Sequence, residues 1–200
     1  MNTVMNLNLF PTSITVVKNF LSEEVCGKIY NYVLKNIDII PLENHPALGT
    51  NNSKSTNYNI NYNFLNIMEE KGILNIRDSL TNELKKYSNF SGMEFNYVDN
   101  CWISIQQKDK LEKHVHPFSN ISGVIYINVD EKSSKIYFYN PNPMNFFYKK
   151  NLELKDMTYD YYKIVPSVGD LIMFPSWLQH GSNEEINQTE NRLIISFNAL

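Results

Sequence analysis

From residue 93 to its C-terminus the chain is written as short runs rich in Ile, Val, Tyr and Phe, each closed by turn residues. The runs fall at about 95–106, 121–129, 135–139, 160–165, 170–174 and 191–198. Between them lie Asp109-Lys110, Ser119-Asn120, Asp130-Glu131-Lys132, Asn140-Pro141-Asn142-Pro143, Pro166-Ser167 and the polar stretch 182–191. Evenly punctuated strands of this length indicate an antiparallel sandwich or barrel.

The first half reads differently. Residues 13–18 are β-branched and predict one strand. Ser22 followed by Glu23 and Glu24 is a helix start, since the hydroxyl caps free N–H groups and the acids meet the positive end of the dipole. Val25, Ile29, Tyr30 and Val33 continue it at helical spacing. Residues 40–58, with Pro41, Pro46 and Gly49, predict a loop. A second helix is predicted over about 71–88, with Ile73, Ile76, Leu80 and Leu84 on one face and Gly92 as its stop. Helices first and strands afterwards predict an α+β fold with helices packed on one face of the β layers. Two hundred residues suit one domain over 1–200: a mainly helical support region with an N-terminal strand over 1–92, and the β core over 93–200.

Composition narrows the functional classes. Net charge is −3 with no basic stripe, which argues against nucleic acid. The first residues carry no basic region followed by an apolar run, so neither a secretory leader nor a membrane span is expected. Cys26 and Cys101 lie far apart without metal-ligand spacing and read as reduced thiols of a cytoplasmic protein.

The chemistry concentrates near the C-terminus. Three of the four histidines, His114, His116 and His180, fall in two short clusters; the fourth, His45, sits in the Asn-rich loop. With one residue between them on a strand, His114 and His116 face the same way and Val115 faces the opposite layer. Two imidazoles side by side can share a metal ion, and His180 is the candidate third ligand. His180 follows the buried run Leu171–Phe174 and the breaker Pro175-Ser176-Trp177, which presents it at the mouth of a sheet. Trp177 itself is expected in the core. Of the 18 basic residues only Arg77 and Arg192 are arginines, and Arg192 lies just beyond His180. Arg192, Ile194 and Ser196 share one face of the last strand, and Leu193, Ile195 and Phe197 share the other. An arginine turned into a sandwich needs an anionic partner, and a carboxylate matches its fork.

These residues resemble a known family. Pro166-x-x-Gly169-Asp170-x-x-x-Phe174-Pro175-Ser176-x-x-x-His180, then Arg192-x-x-x-Ser196-Phe197-Asn198, is similar to the C-terminal half of Fe(II)/2-oxoglutarate-dependent dioxygenases. Upstream, His116-Pro117-x-Ser119-x-x-Ser122-Gly123-x-x-Tyr126 resembles a 2OG-Fe(II) oxygenase subgroup distantly similar to prolyl hydroxylases. The resemblance covers about residues 95–200. It implies a double-stranded β-helix, or jelly roll, with iron at one end. It implies Fe(II) as cofactor and 2-oxoglutarate as co-substrate, with His114 and His180 as metal ligands. Arg192 would hold the distal carboxylate of 2-oxoglutarate, with Ser196 and Tyr126 beside it; Trp102, Ser104 and Gln106 would line the neighbouring strand.

The departure from the pattern is His116. Most of the family carries His-x-Asp or His-x-Glu there. With His116 as third ligand the site holds three neutral groups and one more unit of positive charge. Glu112, on the His114 face by alternation, is the other source of a ligand. The expected activity is an oxygenase that uses 2-oxoglutarate and O2 to hydroxylate a protein residue such as proline, or a small molecule, with succinate and CO2 as co-products. Its expected partners are those reactants, with a homodimer allowed and no membrane. Residues 42–62 and 137–148 are the expected lids. Two other classes stay open: a cupin-like three-histidine metal protein without the co-substrate, and a β-sandwich binding module without metal.

Overall fold

The computed structural model describes residues 11–44, 52–57, 59, 61–73, 75–142, 160–182 and 184–200. Helix α1 (Glu23–Lys35) starts as its sequence demands: Ser22 Oγ accepts from Val25 N at 3.3 Å, with Glu23 and Glu24 in the first turn. Its inward stripe is Cys26, Ile29 and Val33, all buried. The second helix, predicted over about 71–88, begins only at Arg77, and a short helix that the spacing did not predict precedes it. α2 (Phe64–Glu70) is capped by Asn63, whose side chain accepts from Leu65 and Asn66, and α3 (Arg77–Ser91) follows after a break. Gly72, at φ 64°, lies in that break, a left-handed conformation that a continuous helix does not contain. α3 stops at Gly92, φ 74°, as expected.

The strands are β1 (Thr15–Val17), β2 (Glu43–Asn44), β3 (Ser53–Ser55), β4 (Val98–Gln106), β5 (Ile121–Asn128), β6 (Ile136–Tyr139), β7 (Tyr161–Ile164), β8 (Leu171–Pro175), β9 (His180–Gly181) and β10 (Arg192–Ala199). One sheet has the order β1-β8-β5-β10-β4-β3-β2 and the other β7-β6-β9. All pairings are antiparallel. This is the α+β fold with antiparallel β layers read from the residues, in the jelly-roll form that the resemblance implied. Two local expectations change. The stretch 40–58 is not all loop, because β2 and β3 pair in it and extend the sheet from β4. The region 1–92 therefore supplies three strands as well as the helices. Strands this short carry no hydrophobic period of their own; they exist because β4 offers an open edge.

Alternation along β10 divides the core. Leu193, Ile195 and Phe197 point towards the helices and join Ile29, Val33, Met68, Leu80 and Leu84 in one buried cluster. Ile194 packs on the other side with the smaller cluster of Val124, Tyr126, Ile136, Phe138, Ile172 and Phe174, between the two sheets. Each fully buried Ile or Leu contributes roughly 1.5–3 kcal/mol of transfer free energy. Asp170, from the Gly-Asp pair of the C-terminal motif, is structural: it is fully buried, accepts from Ser167 N at 2.8 Å, and holds Lys18 Nζ at 2.6 Å beside β1. Trp177 is 53% exposed, contrary to expectation. The turn after β8 spends its inward position on Leu178, which is 2% exposed, so its neighbour points out.

Candidate metal centre and anion pocket

β9 carries His180, and His114 reaches it through a single antiparallel bridge, His114 N to His180 O at 2.8 Å and His180 N to His114 O at 3.0 Å. His114 and His116 are therefore not on a regular strand. The segment is extended enough that both imidazoles still turn the same way, with ring centroids 5.2 Å apart. Val115 is 45% exposed, not packed under an opposite layer as the alternation predicted. His116 N donates to Ser176 O at 2.9 Å, which fixes the segment against the turn after β8.

Gly181 makes this approach feasible. A Cβ there would lie 2.8 Å from Leu111 O and 3.0 Å from Glu112 O, so only glycine lets the 111–114 backbone come this close to β9.

The three imidazoles converge. His114 and His180 centroids are 4.4 Å apart and those of His116 and His180 5.0 Å. One ligand nitrogen from each lies within 4.8 Å of the others. Every Nδ1 is engaged: that of His114 with Glu112 O at 2.8 Å, that of His180 with Leu178 O at 2.8 Å, and that of His116 with Asn198 Oδ1 at 2.7 Å. Carbonyl and amide oxygens only accept, so each Nδ1 carries the proton and each Nε2 keeps its lone pair. Desolvation holds all three rings neutral: it pulls His116 down to about 4 and His180 well below the usual range, and lowers His114. Trp102 stacks on His116 at 5.7 Å and Phe174 packs against His180 at 4.5 Å. Three neutral imidazole nitrogens with fixed tautomers suit a divalent transition ion and leave coordination positions open.

Glu112 does not join them. Its carboxylate reaches Lys110 Nζ at 3.1 Å, and its backbone carbonyl accepts from His114 Nδ1. Among the described residues the cluster is His114, His116 and His180. His45 lies outside the described residues, as does much of each expected lid, 42–62 and 137–148.

A cavity of about 260 Å³ runs from the histidines between the sheets to Arg192, lined also by Trp102, Ser104, Gln106, Tyr126 and Ser196. Arg192 is 5% exposed. Its Nη1 donates to Gln106 Oε1 at 3.0 Å, and its Cζ lies 5.6 Å from the Tyr126 ring centroid. Its Nε has no acceptor among the described residues, and no carboxylate pairs with it there. Burial pulls the guanidinium below its ordinary value, with Tyr126 opposing, and pushes the Tyr126 hydroxyl up to about 12. A buried cation with an orphaned donor is costly unless an anion completes it, and a carboxylate fits.

The residues named from sequence, Gln106 among them, thus line one cavity, and one further residue, Asn198, joins them. Gln106 is the partner of Arg192, a pairing set by β4–β10 register and invisible along the chain. Asn198 is the partner of His116; its parity with Arg192 and Ser196 on β10 is the signal that could have found it.

Residues 100–198 match the model of a family described as "Putative 2OG-Fe(II) oxygenase". No curated protein sequence matches the chain. Solved structures share the fold. A prolyl-4-hydroxylase from Pseudomonas putida aligns with TM-score 0.61 and 11% identity, over 94% of this chain and 92% of that one. A prolyl hydroxylase from Trichoplax adhaerens, in complex with a hypoxia inducible factor oxygen degradation domain peptide fragment, aligns with TM-score 0.60 and 13% identity, over 93% and 83%. HygX from Streptomyces hygroscopicus, with nickel and 2-oxoglutarate bound, aligns with TM-score 0.57 and 10% identity, over 94% and 82%.

Proposed function

The chain is a member of the Fe(II)/2-oxoglutarate-dependent oxygenase superfamily through residues 100–198, and from that premise we propose that it is a hydroxylase holding its metal on His114, His116 and His180. The carrying observation is the joint placement of three imidazoles with engaged Nδ1 atoms and a buried arginine with an orphaned Nε in one cavity. Fe(II) bound there supplies the redox chemistry that couples decarboxylation of 2-oxoglutarate by O2 to hydroxylation of a substrate C–H bond, with succinate and CO2 as co-products. The chain supplies binding and orientation. Arg192 takes the distal carboxylate on the edge that Gln106 leaves open, and Ser196 and Tyr126 flank it. Trp102 and Phe174 pack the imidazoles and restrict water. No side chain acts as a general base in this reading.

The substrate is a protein residue such as proline, or a small molecule. The chain works as one domain over 1–200. The free, buried Cys26 and Cys101 support a cytoplasmic site of action. No described helix is long and apolar enough to cross a membrane. Neither a nucleic acid nor a membrane is proposed as partner, and a homodimer fits the reading.

The test is succinate formation from 2-oxoglutarate with Fe(II) under air, comparing wild type with His180→Ala and Arg192→Ala. Iron-dependent succinate that both substitutions abolish is the expected result. Its absence from wild type, with no 2-oxoglutarate binding, overturns the reading. One observation favours a second reading, a three-histidine metal protein without the co-substrate: among the described residues the cluster holds no carboxylate. In that case Arg192→Ala leaves activity unchanged.

A further inference from the structure

Of the three clustered histidines, His116 alone has its Nδ1 on a side chain; the other two rest on backbone carbonyls two residues earlier. We propose that Asn198 is the positioning residue of His116, and that its neutral amide oxygen is what makes a third imidazole serve as a metal ligand. The inference rests on the three-histidine reading of the metal centre.

Asn198 shares parity with Arg192, Ile194 and Ser196, so its side chain enters the cavity from the same face. Its Oδ1 accepts twice, from His116 Nδ1 at 2.7 Å and from Ser122 Oγ at 2.8 Å. Ser122 donates to Asn198, so the 2.8 Å contact between Ser122 and Ser176 hydroxyls is completed by Ser176 as donor. Both serines are fully buried. The amide oxygen thus sits between the His116 ring and a buried hydroxyl of β5, which together hold the Asn198 side chain in the cavity. Ser176 also accepts His116 N through its carbonyl at 2.9 Å, so ring and backbone of His116 are fixed from one turn.

Two consequences follow. An acceptor on Nδ1 places the lone pair on Nε2, where the other two imidazoles offer theirs. An amide also adds no charge, so the set of three ligands stays neutral through its outer contacts. A carboxylate at position 198 would accept the same proton, make His116 more basic and return one negative charge to the centre.

The experiment titrates wild type, Asn198→Leu, Asn198→Ala and Asn198→Asp with Co(II), followed by calorimetry and by the visible absorption of the bound ion. Melting of the metal-free proteins is measured alongside. We expect Leu and Ala to weaken Co(II) binding by roughly 10–100-fold, the range for loss of such a supporting hydrogen bond. Asp is expected to bind as tightly as wild type or more tightly. Equal Co(II) affinity in all four overturns the inference. So does equal weakening in all three variants in step with their melting temperatures, since that is a structural role. Wild type that takes up no Co(II) overturns the three-histidine centre itself, and this inference with it.

Discussion

Arg192 and Gln106 face each other across the β10–β4 pair, and the guanidinium is held by a neutral amide, Nη1 to Oε1 at 3.0 Å. A carboxylate at position 106 would satisfy the buried cation internally. Gln106 instead orients the fork and leaves its charge available, at a cost in stability that a dicarboxylate ligand offsets.

Gln106→Glu is therefore expected to weaken 2-oxoglutarate binding by at least about tenfold, the equivalent of roughly 1.4 kcal/mol. The metal-free protein should melt no lower than wild type, because the new carboxylate pairs with Arg192. Arg192→Ala should remove measurable binding. Calorimetric titration with 2-oxoglutarate in the presence of Fe(II), without O2, checks both. Unchanged affinity in Gln106→Glu would show that the ligand does not use this guanidinium.

His114→Ala and His180→Ala should each lose more metal affinity than the roughly 10–100-fold typical of an outer contact. His116→Asp restores the carboxylate that most of the family carries and should retain binding. Glu112→Gln should leave affinity within about twofold, since that carboxylate points to Lys110 at 3.1 Å. Fe(II) titration of the four variants separates His116 from Glu112 as the third ligand: a large loss in Glu112→Gln alone would reverse the assignment.

Gly181→Ala would drive a methyl to 2.8 Å from Leu111 O and 3.0 Å from Glu112 O. Backbone cannot yield as a side-chain tip can. The bridge between His114 and His180 should open, with a loss of stability on the order of 1–3 kcal/mol and a parallel loss of metal affinity. Denaturant melts and metal titration of the variant check this, and normal metal affinity would count against the bridge as the device that joins the two ligands.

Acidification should destabilise the metal-free protein. His116 folds with a value of about 4 against 6.5 for the free side chain, and His114 and His180 are also lowered. The unfolded chain then binds more protons than the folded one. Stability is intact above about pH 6.5 and falls as the pH drops towards 4, each unit of depression contributing about 1.4 kcal/mol. Melting temperatures of wild type between pH 7 and 5 should fall more steeply than those of His116→Gln, and parallel slopes would refute the assignment.

Much of this molecule was legible along the chain because the features are local. The Ser22 cap, the Gly92 stop and the pair Ile29 and Val33 of the α1 stripe each lie within a few residues, although the third buried position is Cys26 rather than Val25 or Tyr30. Period-2 alternation put Arg192 and Ser196 on one side of β10 and Phe197 on the other, and this holds because one face meets the helices and the other the cavity. The spacing of His114, His116 and His180 against Arg192 likewise sufficed to propose a metal site and an anion partner, which the structure brings to one cavity.

What only the tertiary structure decided depends on contacts far apart in sequence. β2 and β3 exist through pairing that begins at β4, some 50 residues downstream. Trp177 points to solvent because Leu178 takes the inward position of the turn. Glu112 and His116 were both candidates by alternation, and it is the His116 ring that the fold brings within 5.0 Å of His180 while the Glu112 carboxylate lies 3.1 Å from Lys110. Gln106 and Asn198 carry no signal naming their partners. Strand register places them against Arg192 and His116, and register is set by the burial of whole sheet faces rather than by any motif.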